Sequence, residues 1–94
     1  MPRPNVPAAP TADLELLVLL AVIARERSFT RAAAVLGVSQ PSISARVRRL
    51  ELRAGEPVFE RLGRGVRLTP TGEALLPAAE RALTLAQEAD ELWS

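Results

Sequence analysis

The sequence predicts a mainly helical domain with one short two-stranded hairpin and a long final helix. Apolar residues recur at helical spacing in four segments, and hydroxyl or acidic cap residues and glycine stops bound most of those segments. Between the third and fourth segments, two short runs typical of strands flank a turn at residues 63–65. These observations together favour a small α-rich fold with a β-hairpin inserted before the last helix.

The first two helices are defined by their ends. The first begins near Thr11 or Asp13, either of which can accept a bond from a free amide of the first turn, and it ends near Arg27. Ser28 caps the second helix, and Gly37 stops it because glycine tolerates the left-handed conformation of a C-terminal cap.

The third helix follows after a short turn. Ser39 caps it, and Pro41 lies in its first turn, where a missing amide hydrogen costs nothing. It continues to about Ala54, and Gly55 stops it. The segment from 31 to 51 is therefore helix, turn, helix.

The hairpin and the last helix complete the chain. The strands are predicted at residues 57–60 and 66–68. Thr69 caps the last helix, Pro70 occupies its first position, and Pro77 inside it predicts a mild bend.

The last helix carries a broad apolar stripe. Exposed on a single chain, such a stripe would be a sizeable apolar patch, so we expect it to pair with a second copy of the helix. A Leu83→Glu substitution is then expected to abolish the dimer. The predicted dimerisation residues are Leu75, Leu76, Ala79, Ala82, Leu83, Ala86 and Trp93.

Composition excludes several classes of function. The 94 residues contain no cysteine and no histidine, so thiol chemistry, disulfides and the commonest general base are ruled out. We expect no enzyme activity, no cofactor and no metal. No apolar run is long enough to span a membrane, which favours the cytoplasm. Residues 1–10 hold four prolines and predict a disordered leader.

Charge is distributed unevenly along the chain. The net charge is only +1, but residues 25–67 hold ten arginines against four acids, giving +6. Residues 68–94 hold one arginine against five acids, giving −4. A basic middle suggests a face that binds a polyanion, although a solvated charged surface explains the charge alone equally well.

A helical wheel separates two sides of the third helix. One side is apolar and predicts the core contact: Ile43, Val47, Leu50 and Ala54. The opposite side combines small residues near the N-terminus with arginine farther along: Pro41, Ala45, Arg48 and Leu52. Such a helix suits a DNA major groove, where short side chains approach base edges and arginines meet phosphates. Ordinary capping and a solvated face are the alternatives for each feature taken alone.

Three motifs resemble the N-terminal domain of the LysR-type transcriptional regulators. They are SFTRAAAVLGVSQPSIS at 28–44, RRLE at 48–51 and VFERLGRGVRLTPTGEALL at 58–76, in the family order. The resemblance implies a winged helix-turn-helix over residues 11–69. It also implies a linker helix over 70–94 that pairs antiparallel with its counterpart in a homodimer. The recognition helix would be 40–54, in the major groove, and the wing 61–67, at the minor groove.

The resemblance also assigns roles to residues. It places Gln40, Pro41, Ser42 and Ser44 on the recognition helix near bases and phosphates, and Arg64 at the tip of the wing. It makes Arg31 and Arg67 expected phosphate contacts. Combined with the wheel, the candidate DNA-binding residues are Arg31, Ser39, Gln40, Pro41, Ser42, Ser44, Ala45, Arg46, Arg48, Arg49, Arg64 and Arg67.

The chain departs from the family pattern at three places. Ala45 stands where the family often has arginine, so we expect a different base preference there, with Arg46 or Arg48 supplying the lost charge. Residues 52–54 are Leu-Arg-Ala instead of two acids and a leucine, which trims the core at the end of the helix. Arg27 stands where glycine is common, so we expect some strain at the end of the first helix.

Two aromatic residues and one arginine have structural alternatives. Phe29 and Phe59 are expected to pack in the core rather than stack on nucleotides. Arg61 matches a basic family position, but it could equally pair with an acid such as Glu60 or Glu51.

The sequence therefore predicts sequence-specific binding of double-stranded DNA by a homodimer at an imperfect palindromic operator. The alternative is a helical protein-interaction module with vestigial DNA binding; a regulator of the molybdate-responsive kind is a family-level alternative. Family members usually carry an effector-binding domain about twice this size. Since that domain is missing, the chain is either a naturally short protein or, as we expect, a piece of a longer protein whose small-molecule effector binds in the missing domain.

Overall fold

A computed structural model of the chain describes residues 13–93. The predicted leader at 1–10 and the alternative cap Thr11 lie outside the described residues. The elements, in chain order, are α1 (Leu14–Glu26), α2 (Phe29–Leu36), α3 (Gln40–Ala54), β1 (Phe59–Arg61), β2 (Val66–Leu68) and α4 (Pro70–Trp93).

The ends of the first three helices follow local sequence chemistry. The side chains of Asp13, Ser28 and Ser39 each accept a bond from the amide three residues on, at 3.1 to 3.3 Å. Gly37 and Gly55 end α2 and α3 with φ of 68° and 75°. The predicted caps and stops are confirmed.

Arg27 ends α1 in the left-handed conformation, with φ of 55°. The strain expected from an arginine at this position is confirmed, because a side chain with a Cβ rarely adopts this backbone conformation. The turned backbone presents the Arg27 carbonyl to the hairpin, and the Val66 amide donates to it at 3.1 Å. The end of α1 therefore anchors the second strand.

The two strands form an antiparallel pair that projects from the helices. Phe59 pairs with Leu68, and Arg61 pairs with Val66. The Leu62 amide donates to the Gly65 carbonyl at 3.0 Å and closes the turn.

The first strand lies later in the sequence than predicted. The expected range of 57–60 is wrong by two residues at its start and one at its end. Pro57 has no amide hydrogen to give to a ladder. The Val58 amide donates to the Glu51 carboxylate at 2.7 Å. This amide is therefore not available to extend the pairing between the two strands.

The core is built around α1. Leu19, Leu20 and Ile23 of α1 are almost completely buried, with Ile43 of α3 and Val58 before β1. α4 packs along α1, and an ion pair between Arg25 Nη2 and Glu80 Oε2 at 2.7 Å joins the two helices at the surface. This packing fixes the frame from which α3 and the hairpin project.

The apolar stripe of α4 is largely used within the single chain. Ala79, Ala82 and Leu83 are at most 8% exposed. The expectation that they form an exposed patch is wrong, because α1 covers them. Leu83→Glu would place a charge in the core and would not test dimerisation alone. Leu75, Leu76 and Ala86 are half-buried, whereas Trp93 is exposed as expected.

The large exposed apolar side chains of α4 lie in its C-terminal half. Leu85, Leu92 and Trp93 are 58%, 85% and 83% exposed. The helix continues through Pro77 without interruption. Within residues 13–93, no helix is both long and apolar enough to cross a bilayer.

Candidate nucleic-acid interface

The N-terminal end of α3 presents small and polar side chains to solvent. Ser39 caps the helix, and the exposed residues that follow are Gln40, Pro41, Ser44 and Ala45, with Ser42 half-buried. The buried residues of α3 are Ile43, Val47 and Leu50, as the wheel predicts. The core therefore holds α3 so that its short side chains face outward at the end where base edges would be approached.

Arg48 continues the exposed face one turn beyond Ala45. It lines a cleft of about 590 Å³ between α3 and the base of the hairpin, together with Ser44, Leu52 and Arg61. Arg48 makes no ion pair with any residue in 13–93. A cation of this kind is available to a phosphate without first breaking an internal contact.

Arg46 points elsewhere. It is half-buried and lines a groove on the side of α3 facing α1, near Glu15, Leu36 and Val38. Of the two arginines expected to replace the charge at Ala45, only Arg48 shares its face. A DNA contact by Arg46 remains a prediction.

Two arginines of the hairpin, Arg64 and Arg67, differ in their partners. Arg64, in the turn, is exposed and has no ion-pair partner among the described residues. Arg67 on β2 donates through Nε and Nη2 to the two carboxylate oxygens of Glu60 on β1, at 3.0 and 3.2 Å. The hydrogen bonds from Arg67, and then its positive charge, lower the pKa of the Glu60 carboxyl. The same hydrogen bonds, and then the negative charge of Glu60, raise the pKa of the Arg67 guanidinium.

Two further predicted arginines are engaged by acids of α1 or its cap. Arg49 Nη2 lies 3.1 Å from Asp13 Oδ2 and so ties α3 to the start of α1. Arg31 Nη2 donates to the Glu26 backbone carbonyl at 2.6 Å, with its Nε 3.9 Å from the Glu26 carboxylate. Both side chains remain largely exposed, so a phosphate can reach them.

Arg61 has a structural contact, but not the one expected. Its guanidinium carbon lies 4.6 Å above the centre of the Phe29 ring, and Phe29 meets Phe59 edge-to-face at 5.6 Å. The expected acids are otherwise engaged: Glu60 holds Arg67, and Glu51 accepts from backbone amides at the start of β1. Both phenylalanines pack as predicted, and they link α2 to the hairpin.

Sequence reasoning missed two side chains at this face. Glu51 Oε2 accepts from the Val58 and Phe59 amides at 2.7 and 3.2 Å, which joins α3 to the hairpin. Thr30 Oγ1 accepts a bond from Gln40 Nε2 at 2.5 Å. Neither contact has a local sequence signal, since each joins residues seven to ten positions apart across a turn.

The described residues give no indication of a metal centre: no cluster of three or more His, Cys, Asp or Glu in 13–93 could hold an ion.

The exposed face of α3 and the hairpin with its arginines define a winged helix-turn-helix domain. Solved structures of such domains share the fold. The DNA-binding domain of BenM in complex with catB site 1 DNA aligns with a TM-score of 0.73 and 30% identity, covering 86% of this chain and 91% of that one. The complex of the CbnR DNA-binding domain with DNA aligns with a TM-score of 0.72 and 34% identity, covering 85% and 92%.

Residues 14–73 match the family described as bacterial regulatory helix-turn-helix protein, LysR family, and the chain belongs to that family. Among similar proteins, the HTH-type transcriptional regulator BudR of Klebsiella aerogenes is 48% identical over 79 residues. That match covers 84% of this chain and 55% of BudR. The chain therefore spans about half the length of this relative.

Proposed function

We propose that this chain is the DNA-binding domain of a transcriptional regulator and that the N-terminal half of α3 enters a major groove. The observation that carries the proposal is the exposed face of α3, where Gln40, Ser44 and Ala45 precede Arg48, which has no ion-pair partner within residues 13–93. Short side chains permit close approach of the helix to base edges, and Gln and Ser offer donors and acceptors to them. The DNA complexes of the similar BenM and CbnR domains support DNA as the ligand of this domain.

The hairpin would act as the wing at the neighbouring minor groove. Arg64 is exposed in its turn, and an unpaired guanidinium suits the negative potential of a narrow minor groove. The cleft between α3 and the hairpin, lined by Arg48 and Arg61, would follow the phosphate backbone between the two grooves. This arrangement makes α3 and the wing parts of one continuous interface.

The arginines that form ion pairs in the free chain would contribute to the salt dependence of DNA affinity. Arg31, Arg49 and Arg67 each have an acidic partner in the free chain. To contact phosphates, they would exchange carboxylate for phosphate, and the complex would release counterions from the duplex. We expect affinity to fall steeply with salt.

We propose a homodimer formed through the C-terminal half of α4. Leu85, Leu92 and Trp93 are exposed there. Leu85 also lines the mainly apolar groove of about 530 Å³ that contains Arg46. Pairing two copies would cover these side chains. A two-fold dimer would read an imperfect palindrome with half-sites about 34 Å apart, or a multiple of it.

Selection of bound sites from a randomised duplex pool at near-physiological salt tests the proposal. An enriched imperfect palindrome is the expected result. Binding at low salt without enrichment would contradict sequence specificity and leave a nonspecific polyanion binder. The alternative function, a protein-interaction module, would then be tested by asking whether α4 binds another protein.

Arginine substitutions test where the interface lies. Arg48→Ala and Arg64→Ala are expected to weaken binding to the selected site about 10-fold or more, the range for a lost base or phosphate contact. Arg81→Ala is the matched control, since Arg81 is an exposed arginine on α4. Equal loss in all three variants would contradict an interface at α3 and the wing.

A further inference from the structure

The side chain of Gln40 is held by a residue of the preceding helix. Gln40 is the first residue of α3 and is exposed, yet its Nε2 donates to Thr30 Oγ1 at 2.5 Å. Thr30 is the second residue of α2 and is also exposed. The turn that reverses the chain between α2 and α3 brings the two side chains together.

This contact leaves Gln40 with a defined set of bonding groups. A primary amide has two N–H donors and one carbonyl acceptor. One N–H points to Thr30, so the second N–H and Oε1 remain available on the same planar group. A neighbouring donor and acceptor match adenine in the major groove, where N7 accepts and the N6 amino group donates.

The tether also restricts where the amide of Gln40 can lie. A free glutamine on a helix surface samples many rotamers, whereas the bond to Thr30 holds the amide beside α2 before DNA arrives, so less freedom remains to be lost on binding. In the orientation observed, Nε2 donates to Thr30 Oγ1, and Oε1 is left to accept from a base.

We propose that Thr30 is a positioning residue that sets the base preference of Gln40 in favour of adenine. The inference rests on the proposed function, because it requires the N-terminus of α3 to lie in a major groove. Thr30 itself contacts no base in this arrangement. It acts through the orientation of Gln40.

A direct phosphate contact by the Thr30 hydroxyl is the competing role, and it predicts a different result. A lost phosphate contact weakens binding to all sequences alike, whereas a lost tether weakens discrimination between bases. The two roles are therefore separated by specificity, not by affinity.

The test compares binding to the selected site with binding to the same site changed at the base facing Gln40. The variants are Thr30→Val, which removes the acceptor at similar size, Thr30→Ser, which keeps it, Gln40→Ala and the double variant. The wild type is expected to prefer the adenine site about 10-fold, the scale of one bidentate base contact. Thr30→Val is expected to lose most of that preference and Thr30→Ser to retain it.

The double variant shows whether Thr30 acts through Gln40. Adding Thr30→Val to Gln40→Ala is expected to change the base preference no further. Wild-type preference in Thr30→Val, a uniform loss of affinity at both sites, or full additivity in the double variant would each overturn the inference. Failure of the wild type to select any site would instead overturn the proposed function, and the inference with it.

An NMR measurement without DNA tests the Thr30–Gln40 bond independently of DNA binding. The two Nε2 protons of Gln40 are expected to differ in chemical shift more in the wild type than in Thr30→Val, because only one of them is bonded to Oγ1. Unchanged thermal midpoints would show that the variants fold, as expected for an exposed position. Identical Gln40 amide signals in the wild type and Thr30→Val would overturn the tether itself.

Discussion

At the scale of single residues, the wing is stabilised by one ion pair whose strength depends on pH. Glu60 and Arg67 face each other across the two strands as a register pair, and both are exposed. Hydrogen bonds from Arg67 are the first cause, and its charge the second, of the lowered pKa of the Glu60 carboxyl. Because the folded pKa lies below the unfolded one, the pair stabilises the wing fully above the unfolded pKa. That contribution is lost as pH falls through the folded pKa.

We therefore predict that the Glu60 carboxyl titrates below the usual glutamate range and that Arg67→Gln raises its pKa back toward that range. A carbon-13 NMR titration of the Glu60 side-chain carboxyl measures both. The hairpin register of the variant is checked by cross-strand contacts between Phe59 and Leu68. An unchanged Glu60 pKa in an intact hairpin would show that Arg67 is not its partner in solution.

A second residue-scale prediction concerns Gly65, where the wing approaches α1. Gly65 has φ of 80°, and a Cβ placed on it would lie 2.6 Å from the Arg27 carbonyl oxygen. Both the strained backbone and the clash disfavour alanine. Gly65→Ala is expected to lower the free energy of unfolding by about 2 kcal/mol in urea denaturation.

Gly63 in the same turn is the control for this prediction. It has no atom within 4 Å of an added Cβ, and its φ is outside the left-handed region. Gly63→Ala is expected to change stability by no more than about 0.5 kcal/mol. Similar losses in the two variants would mean that turn flexibility, rather than the contact with Arg27, decides the cost.

At the scale of elements, the end of α3 leaves space at the edge of the core. A mainly apolar cavity of about 310 Å³, open to solvent on one side, lies where α3, α1 and α4 meet, and Ala54 lines it with Leu16, Leu50 and Leu75. This is where the sequence departs from the family leucine. A leucine in place of Ala54 would extend into this space.

Ala54→Leu is therefore predicted to stabilise the domain by about 1 kcal/mol, since the added methyl groups are removed from water. Thermal or urea denaturation measures the change. Ala74→Leu, at an exposed position of α4, supplies the same substitution without a cavity and is expected to give no gain. Destabilisation by Ala54→Leu would indicate that the cavity is too shallow and that the leucine overpacks it.

Contacts within one helix end can be predicted from the sequence, whereas contacts between distant elements cannot. The caps at Asp13, Ser28 and Ser39 were predictable, because a cap bonds within three residues of itself. The stack of Arg61 on Phe29 was not, because it joins a strand to a helix more than thirty residues earlier. Periodicity identifies which face of a helix is apolar, but it does not say which element covers that face.

At the scale of the whole molecule, the question is which element covers the apolar stripe of α4, because the answer determines where a dimer contact can form. The stripe of α4 has the same periodicity whether α1 or a second chain buries it, and in the structure α1 buries Ala79, Ala82 and Leu83. The surface left for a partner is shifted toward the C-terminus, at Leu85 and beyond. The proposed DNA-binding face lies on α3 and the wing, so one chain could engage DNA and a second copy through different elements.

The dimer prediction follows from this division. Leu85→Glu places a charge on the exposed apolar surface of α4 and is expected to give a monomer in sedimentation velocity, with its thermal midpoint little changed. Leu52→Glu is the matched control, because Leu52 is 75% exposed but belongs to α3, and it should leave the dimer intact. Leu83→Glu should unfold the domain as well. A Leu85→Glu variant that remains dimeric would place the contact between copies elsewhere on the chain, and the half-site spacing expected from α4 pairing would no longer hold.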